Sequence, residues 1–573
     1  MRAQNLPSPR TLTKTILLAI ALAFELPDVS ARVAMLGLSP PLLLYAGLYC
    51  GLVACLWSAA FIRASALRWG WALFFALAAT LIGSFQGATA DAMSYDAFVT
   101  MIYSAGFADD AFAQYSAALA WSSAAALFLL LGVGLKPDAR TRLPGIVAVV
   151  APVTGLAVLS ALLFMRGGEG GRGLPNGWVG MAYSSLVAFE AATRPAMTRQ
   201  PVRIAHDREG QPEDIVLIID ESIAGRYLDI NDPAGVRSGL ASPPPGITVS
   251  NFGIAAAVTH CSFGSNLTLR HGGTRDAYQH INATMPSIFD YARHAGFATV
   301  YIDAQRTGAA LQNGMDDTER RQIDRFIQFD DTPVVDRDMA AADALIAALA
   351  NGRREFILIN KMGAHFPVAD KYPDDAQIFR PALPRGEAAA VTETRLPDNL
   401  YSGAASWRLY RNSYRNSVAW TVGGFFDRLF ARARLDDALV IYTSDHGQNL
   451  HERGDSGTTT HCSPAPAAEE GAVPLAIIGA SPHWRAAARR HFDASSHYRI
   501  FPTLLNAMGY DRAAVHSQYG EALDSPGADP ATFNSLFNAR LGRKPIWVKV
   551  ERASVARPPV GDYAARKNGS APR

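Results

Sequence analysis

Apolar residues are not spread evenly along this chain. Five stretches in its first part are continuous enough to cross a bilayer: roughly Leu12 to Val33, Pro41 to Ile62, Trp69 to Gln86, Phe112 to Leu135 and Gly145 to Met165. About 20 apolar residues suffice for a crossing. The first stretch is interrupted by Glu25, Pro27, Asp28 and Arg32, and by itself resembles a signal peptide. With four more spans directly behind it, it reads as an uncleaved first span. A Gly-rich stretch, Gly167 to Gly173, follows. Next comes an amphipathic segment from about Trp178 to Arg194, whose Trp178, Met181, Tyr183, Leu186 and Phe189 suit either a membrane headgroup zone or the surface of a soluble domain.

Beyond Pro201 the pattern changes. Apolar runs at Ile215–Ile219, Thr299–Ile302, Phe356–Ile359, Leu439–Tyr442 and Leu475–Ile478 alternate with helical patterns, which predicts an α/β domain with a mostly parallel central sheet sandwiched by helices. The expected organisation is a bundle of five transmembrane helices over 1–166, a linker with an interfacial helix over 167–200, the α/β domain over 201–550, and a disordered tail over 551–573, rich in Pro, Ala, Arg and Lys. No internal repeat is visible.

Charge adds orientation. Arg2, Arg10 and Lys14 precede the first span, Arg63 and Arg68 lie between spans two and three, and Lys136, Arg140 and Arg142 between four and five. The loop between spans three and four has no Lys or Arg and carries Asp91, Asp96, Asp109 and Asp110. By the positive-inside rule the N-terminus is cytoplasmic and everything after Met165 lies across the membrane, which in a bacterium is the periplasm. The whole chain of 573 residues is near neutral, at +2, and nucleic acid is not an expected partner. The competing picture is a large soluble protein with buried helices.

Candidate chemistry clusters where the apolar runs of the second half end. Asp445-His446-Gly447 closes the run Ala438 to Thr443. A carboxylate and an imidazole side by side at the end of a buried strand are costly to desolvate unless something pairs with them, and both are zinc ligands. Asp220-Glu221-Ser222, Asp303 and the segment Lys361 to His365 follow other runs. Ligand sites in open α/β sheets gather at these carboxyl ends.

The order Asp220-Glu221-Ser222, Val258 to Ser265, Met362-Gly363-Ala364-His365-Phe366-Pro367, Ser444-Asp445-His446-Gly447-Gln448, His461 and Val473-Pro474-Leu475 resembles the sulfatase and alkaline-phosphatase superfamily. Tyr414-Arg415-Asn416-Ser417 and Ser496-His497-Tyr498 are weaker landmarks. Five spans ahead of such a domain make the chain similar to the membrane-bound phosphoethanolamine transferases. The resemblance implies one zinc ion or a pair, or another divalent metal, held by Glu221, Asp445, His446 and a hydroxyl nucleophile. For that nucleophile Ser262 is preferred over Ser265 and Thr259. Cys261 as a sulfatase-type precursor conflicts with Phe263-Gly264-Ser265, which stands where sulfatases have Pro-Ser-Arg. His365 and His461 are implied as catalytic and phosphate-contacting residues, Lys361 as an added positive charge for the substrate, His497 as an outer support, and Arg270 and His271 as phosphate neighbours. Asp220 either binds metal or holds the turn.

The implied reaction is transfer of phosphoethanolamine from phosphatidylethanolamine to a lipid-linked glycan through a covalent Ser/Thr phospho-enzyme, by a monomer of the inner membrane. Phosphoglycerol transfer, hydrolysis by a membrane-anchored sulfatase or phosphodiesterase, and an inactive membrane scaffold are the alternatives. Of the four cysteines, Cys50 and Cys55 fall within the second span. Cys261 and Cys462 fall in the oxidising compartment, where a disulfide at the site's rim and two free thiols are both open.

Overall fold

The computed structural model describes residues 8–89, 92–103, 108–138, 144–193, 197–207, 212–385, 404–454, 460–479 and 481–561. Arg2, Asp91, Arg140 and Arg142, which entered the orientation argument, Arg194 at the end of the amphipathic segment, and the expected tail beyond Gly561 lie outside these residues. The chain forms two compact units. One holds Met1–Pro195 with Asn538–Lys544, the other Ala196–Phe537 with the chain from Pro545 on.

The first unit is helical: α1 (Pro9–Ala23), α2 (Leu26–Leu36), α3 (Pro40–Ala60), α4 (Ser65–Thr89), α5 (Tyr95–Tyr103), α6 (Ala108–Gly134), α7 (Gly145–Met165) and α8 (Asn176–Thr193). Among the described residues, four stretches are long and apolar enough to cross a membrane: Pro40–Ala60, Ser65–Gly87, Ser116–Gly134 and Gly145–Met165. The stretch expected to be the first span is instead two helices. Pro27 sits in the first turn of α2, where its missing N–H is tolerated, and the break just ahead of it avoids a lost hydrogen bond inside a helix. With 15 residues, α1 is about 22 Å long, short of a bilayer core of about 30 Å.

Two of the cations used for orientation have a structural task. Lys14 Nζ donates to the Val133 and Leu135 carbonyls at 3.0 and 2.6 Å, and Arg68 Nε to the Gly134 carbonyl at 3.0 Å. Both charges thus meet the free carbonyls and the negative dipole end of α6.

The helix α8 packs into the helical unit itself. Trp178, Val179, Ala182, Tyr183 and Leu186 are buried in the helical unit's own core with Leu52, Phe75 and Leu159. Trp178 Nε1 donates to the Leu52 carbonyl at 3.0 Å. A Cβ on Gly180 would lie 2.8 Å from that of Ala78, so the glycine permits the close approach of α8 to α4.

The second unit is built on a seven-stranded sheet in the order β2-β7-β6-β1-β5-β3-β4. Its strands are β1 (Asp214–Asp220), β2 (Val249–Ala256), β3 (Ala298–Asp303), β4 (Arg325–Gln328), β5 (Glu355–Asn360), β6 (Ala438–Ser444) and β7 (Ala472–Ile478). Neighbours from β6 to β4 are parallel. β7 runs against both β6 and β2, so the sheet is mixed and, as expected, mostly parallel. Side chains of β1 alternate between two cores. Val216 and Ile218 face Leu345, Tyr414 and Phe425 on one side, and Ile215, Leu217 and Ile219 face Phe289, Phe501 and Leu504 on the other. Burial on both faces explains the unbroken apolar runs of the central strands.

The pattern missed β2 and β4. β4 has four half-buried residues. β2 breaks register between Asn251 and Ile254, where Gly253 takes a φ of 76°. The start of the expected disordered tail is in fact packed. Val555 is buried, its carbonyl accepts from Arg226 at 2.7 Å, and Arg552 pairs with Asp493 at 2.5 Å.

Candidate active site

The first acid comes from the end of β1. Asp220 and Glu221 are both buried, but their side chains do different work. The Asp220 carboxylate accepts from Lys361 Nζ at 2.5 Å, from the Tyr442 hydroxyl at 3.1 Å and from the Glu221 amide at 3.2 Å. It holds the turn. Glu221 Oε1 instead accepts from the hydroxyls of Ser222 and Ser262 at 3.0 and 3.1 Å, and Oε2 from Gln305 Nε2 at 3.0 Å. Ser222 supports this turn in the left-handed region, at a φ of 64°, where few non-glycine residues sit. Its carbonyl accepts from the Tyr414 hydroxyl, which in turn accepts from the Ala224 amide, both at 2.8 Å.

Asp445 and His446 follow β6, the parallel neighbour of β1. Asp445 Oδ1 accepts from the Ser222 amide at 3.0 Å. His446 Nδ1 lies 2.8 Å from the Gly447 carbonyl. A proton on Nδ1 satisfies that contact and leaves Nε2 facing Glu221 Oε1 at 3.3 Å and Asp445 Oδ2 at 3.7 Å. Gly447 is required on steric grounds. A Cβ there would lie 2.2 Å from the Glu469 carbonyl.

Ser262 completes the group. It opens α9 (Ser262–His271), and its Oγ lies 3.2 Å from His446 Nε2. Its two rivals are occupied elsewhere. Ser265 Oγ donates to the Thr259 carbonyl at 3.1 Å and accepts from the Thr259 amide at 3.3 Å, and Thr259 Oγ1 meets His260 Nδ1 at 3.4 Å. Cys261 is joined to Cys462 in a disulfide and is no free thiol.

Glu221, Asp445 and His446 each offer a ligand atom within 4.8 Å of the others. Burial alone would raise the Glu221 carboxyl, but the hydrogen bond to His446 and the charges of His446 and His365 hold it well below the carboxylate range. Burial would lower His446; Asp445 and Glu221 overcome this and push it up to about 10. Burial and the Glu221 charge drive Asp445 far above its ordinary value. Asp445 Oδ2 is buried and, among the described residues, has no hydrogen-bond partner. A divalent cation satisfies what one proton cannot, and two oxygens, a nitrogen and a serine hydroxyl form a donor set that suits zinc.

Of the other expected residues, His461 is half-buried and stacks on His446, with ring centroids 4.5 Å apart at 17°. Burial and the His446 charge hold it well below its usual range. His365 is exposed, with Nδ1 2.6 Å from the Phe366 carbonyl. Its pKa is lowered by desolvation against the opposing pull of Glu221, so it stands within electrostatic reach of the group. Lys361 is elsewhere: fully buried, it donates to Asp220 and to the Thr421 carbonyl at 2.7 Å. A structural ion pair takes the place of the substrate contact expected of it. Arg270 and His271 also face inward, toward Glu319 at 2.8 and 3.4 Å, and His497 lies behind β6 against Thr443 at 2.9 Å. Sequence reasoning missed Gln305, whose Nε2 also donates to the Lys361 carbonyl at 2.7 Å. A lone glutamine carries no spacing signal; only the end of β3 pointed to it.

Residues 213–510 match the family model described as sulfatase. The Kdo(2)-lipid A phosphoethanolamine 7''-transferases of Salmonella typhimurium (strain LT2) and Escherichia coli (strain K12) are 25% identical over 187 residues and 24% identical over 258 residues. The alignments span 30% and 42% of both chains, so this chain matches less than half the length of either relative. The integral membrane lipooligosaccharide phosphoethanolamine transferase A from Neisseria meningitidis has the same fold, with a TM-score of 0.59 at 16% identity over 87% of this chain and 95% of that one.

Proposed function

The chain belongs to the sulfatase family, and from that premise we propose that it transfers phosphoethanolamine from phosphatidylethanolamine to a lipid-linked glycan such as lipid A or lipopolysaccharide core. The observation that carries this reading is the place of Ser262 Oγ, 3.1 Å from Glu221 Oε1 and 3.2 Å from His446 Nε2, in a chain with four helices fit to span a membrane. The curated relatives are by name Kdo(2)-lipid A phosphoethanolamine transferases, which supports the transferred group and the class of acceptor.

Glu221, Asp445, His446 and Ser262 would hold the metal. When bound, it supplies Lewis acidity that neutralises phosphoryl charge and favours the serine alkoxide. The residues do the rest. The Ser262 hydroxyl donates to Glu221 Oε1, which fixes the direction of its lone pairs. The Oγ–P bond forms as the P–O bond to diacylglycerol breaks. His461, stacked on His446, and His365, on the exposed side, meet the phosphate oxygens; neutral because their pKa values are lowered, they take the proton Ser262 loses and pass it to the departing oxygen. In the second half the same histidines take the proton of the attacking glycan hydroxyl or phosphate, the new O–P bond forms at the same phosphorus, and Ser262 Oγ leaves, taking that proton.

In this reading α1 and α2 together make a fifth, broken crossing, the N-terminus is cytoplasmic, and a monomer works in the inner membrane with its α/β domain in the periplasm. Anchoring confines enzyme, donor and acceptor to one surface and limits their relative orientation. The test is to supply purified protein with phosphatidylethanolamine carrying a heavy-isotope headgroup and a lipid A acceptor. The expected product is an acceptor heavier by one labelled phosphoethanolamine. Release of free labelled headgroup with an unmodified acceptor would instead mean hydrolysis.

A further inference from the structure

Cys261 immediately precedes Ser262, and Cys462 immediately follows His461. Their disulfide closes 201 residues of chain and ties the segment that presents the serine to the segment that presents the histidine. The surroundings form a clamp. The Cys462 amide donates to the His260 carbonyl at 3.1 Å. His260 Nε2 lies 3.0 Å from the Ser463 carbonyl. The Ser463 amide and hydroxyl donate to the Glu470 carboxylate at 3.1 and 2.5 Å, and the Asn449 amide donates to the Thr460 carbonyl at 2.7 Å.

Between these anchors, residues 460–463 belong to no helix or strand. Besides the anchors on Thr460 and Cys462, His461 Nδ1 lies 3.2 Å from Thr460 Oγ1. Cys462 also takes a φ of 52°, a left-handed conformation that a non-glycine residue adopts at a cost and holds only where its surroundings impose it. Freed of its bond, this residue has reason to relax, and His461 is its direct neighbour. Cys462 is exposed and within reach of a soluble thiol.

We propose that Cys261 and Cys462 are positioning residues for the transfer reaction: their bond sets His461 over His446 and Ser262, and the site works at full rate only when it is closed. This rests on the assignment of Ser262 and His461 to the reaction, so the test has one arm that needs no turnover. Full-length protein is reduced with dithiothreitol, which yields two electrons and closes to its cyclic disulfide while each cysteine sulfur takes a proton. Histidine accessibility is then read by diethyl pyrocarbonate labelling and peptide mass spectrometry. Labelling of His461 should rise several-fold, while that of the exposed His516 stays the same. Equal His461 labelling in the two forms overturns the proposal.

The second arm compares Cys462→Ser, His461→Ala and the double variant on bis(p-nitrophenyl) phosphate. Cys462→Ser should lower kcat about tenfold or more with KM within about twofold, and should cost less than about twofold once His461 is already alanine, because two changes acting through one residue do not add. General damage to the fold would make the losses multiply. Multiplying losses, or full activity in Cys462→Ser, overturns the proposal. A rise in labelling without the kinetic coupling locates the failure in the role given to His461, not in the clamp's geometry.

Discussion

A serine hydroxyl is a weak nucleophile at its ordinary pKa and needs a neighbour or a metal to ionise it. Ser262 has the neighbours; Ser265 and Thr259 face each other. Ser262→Ala should therefore lower turnover by about a thousandfold or more, while Ser265→Ala should act chiefly on stability. Steady-state kinetics beside thermal unfolding separates the two. Lys361 shows the opposite outcome. Its sequence neighbours mark it as a site residue, yet its charge is consumed by Asp220, whose carboxyl burial lifts to about 6 even with the lysine beside it. Removing one partner of a buried pair costs about 3–5 kcal/mol. Lys361→Met should lose stability on that scale with KM little changed, and a raised KM at unchanged stability would restore the substrate contact. The resemblance of the motifs to a known family singled out Glu221, Asp445, His446 and Ser262, and the fold brings these four side chains together. Which buried charge already has a partner is a property of packing, and no local pattern encodes it.

At the scale of elements, α9 carries Ser262 at its start and is pinned at its end by Arg270 and His271 on Glu319. Burial would raise the Glu319 carboxyl, but the charges of Arg270 and His271 hold it at about 2, against 4.5 unperturbed. The folded protein thus favours the ionised form. That stabilisation, on the order of 3 kcal/mol, is present above about pH 4.5 and is lost as pH falls toward 2. Acid unfolding followed by tryptophan fluorescence should show Glu319→Gln less stable at neutral pH, with the difference from wild type shrinking on acidification. A difference independent of pH would contradict the assignment. For α8, Trp178 is fully buried in the helical core. Trp178→Ala should cost about 3–5 kcal/mol, read as a lower unfolding midpoint in detergent. A headgroup-facing tryptophan would cost far less. The amphipathic pattern of this helix was legible, but its partner was not: an apolar stripe says that something covers it, and only the close approach at Gly180 says what. The strand runs at β1, β3, β5, β6 and β7 were read because burial on both faces leaves them uniformly apolar. β2 escaped because its register break and Gly253 interrupt the run.

For the molecule as a whole, residues from β1, from the start of α9 and from the end of β6 meet within a few ångströms, although Glu221 and His446 are more than two hundred positions apart in the chain. Chelation should abolish transfer reversibly, with zinc restoring it, because the paired acids and the unpartnered Asp445 oxygen leave the group incomplete without a cation. Activity that persists after exhaustive chelation, with no metal in the protein, would contradict this. The most direct test of the central claim is to expose the full-length protein to phosphatidylethanolamine vesicles without acceptor, quench it, and locate the adduct by intact-mass and peptide mass spectrometry. One phosphoethanolamine on the peptide bearing Ser262, absent from Ser262→Ala, is the predicted result. An adduct that survives in Ser262→Ala, or one mapped to another residue, would contradict it.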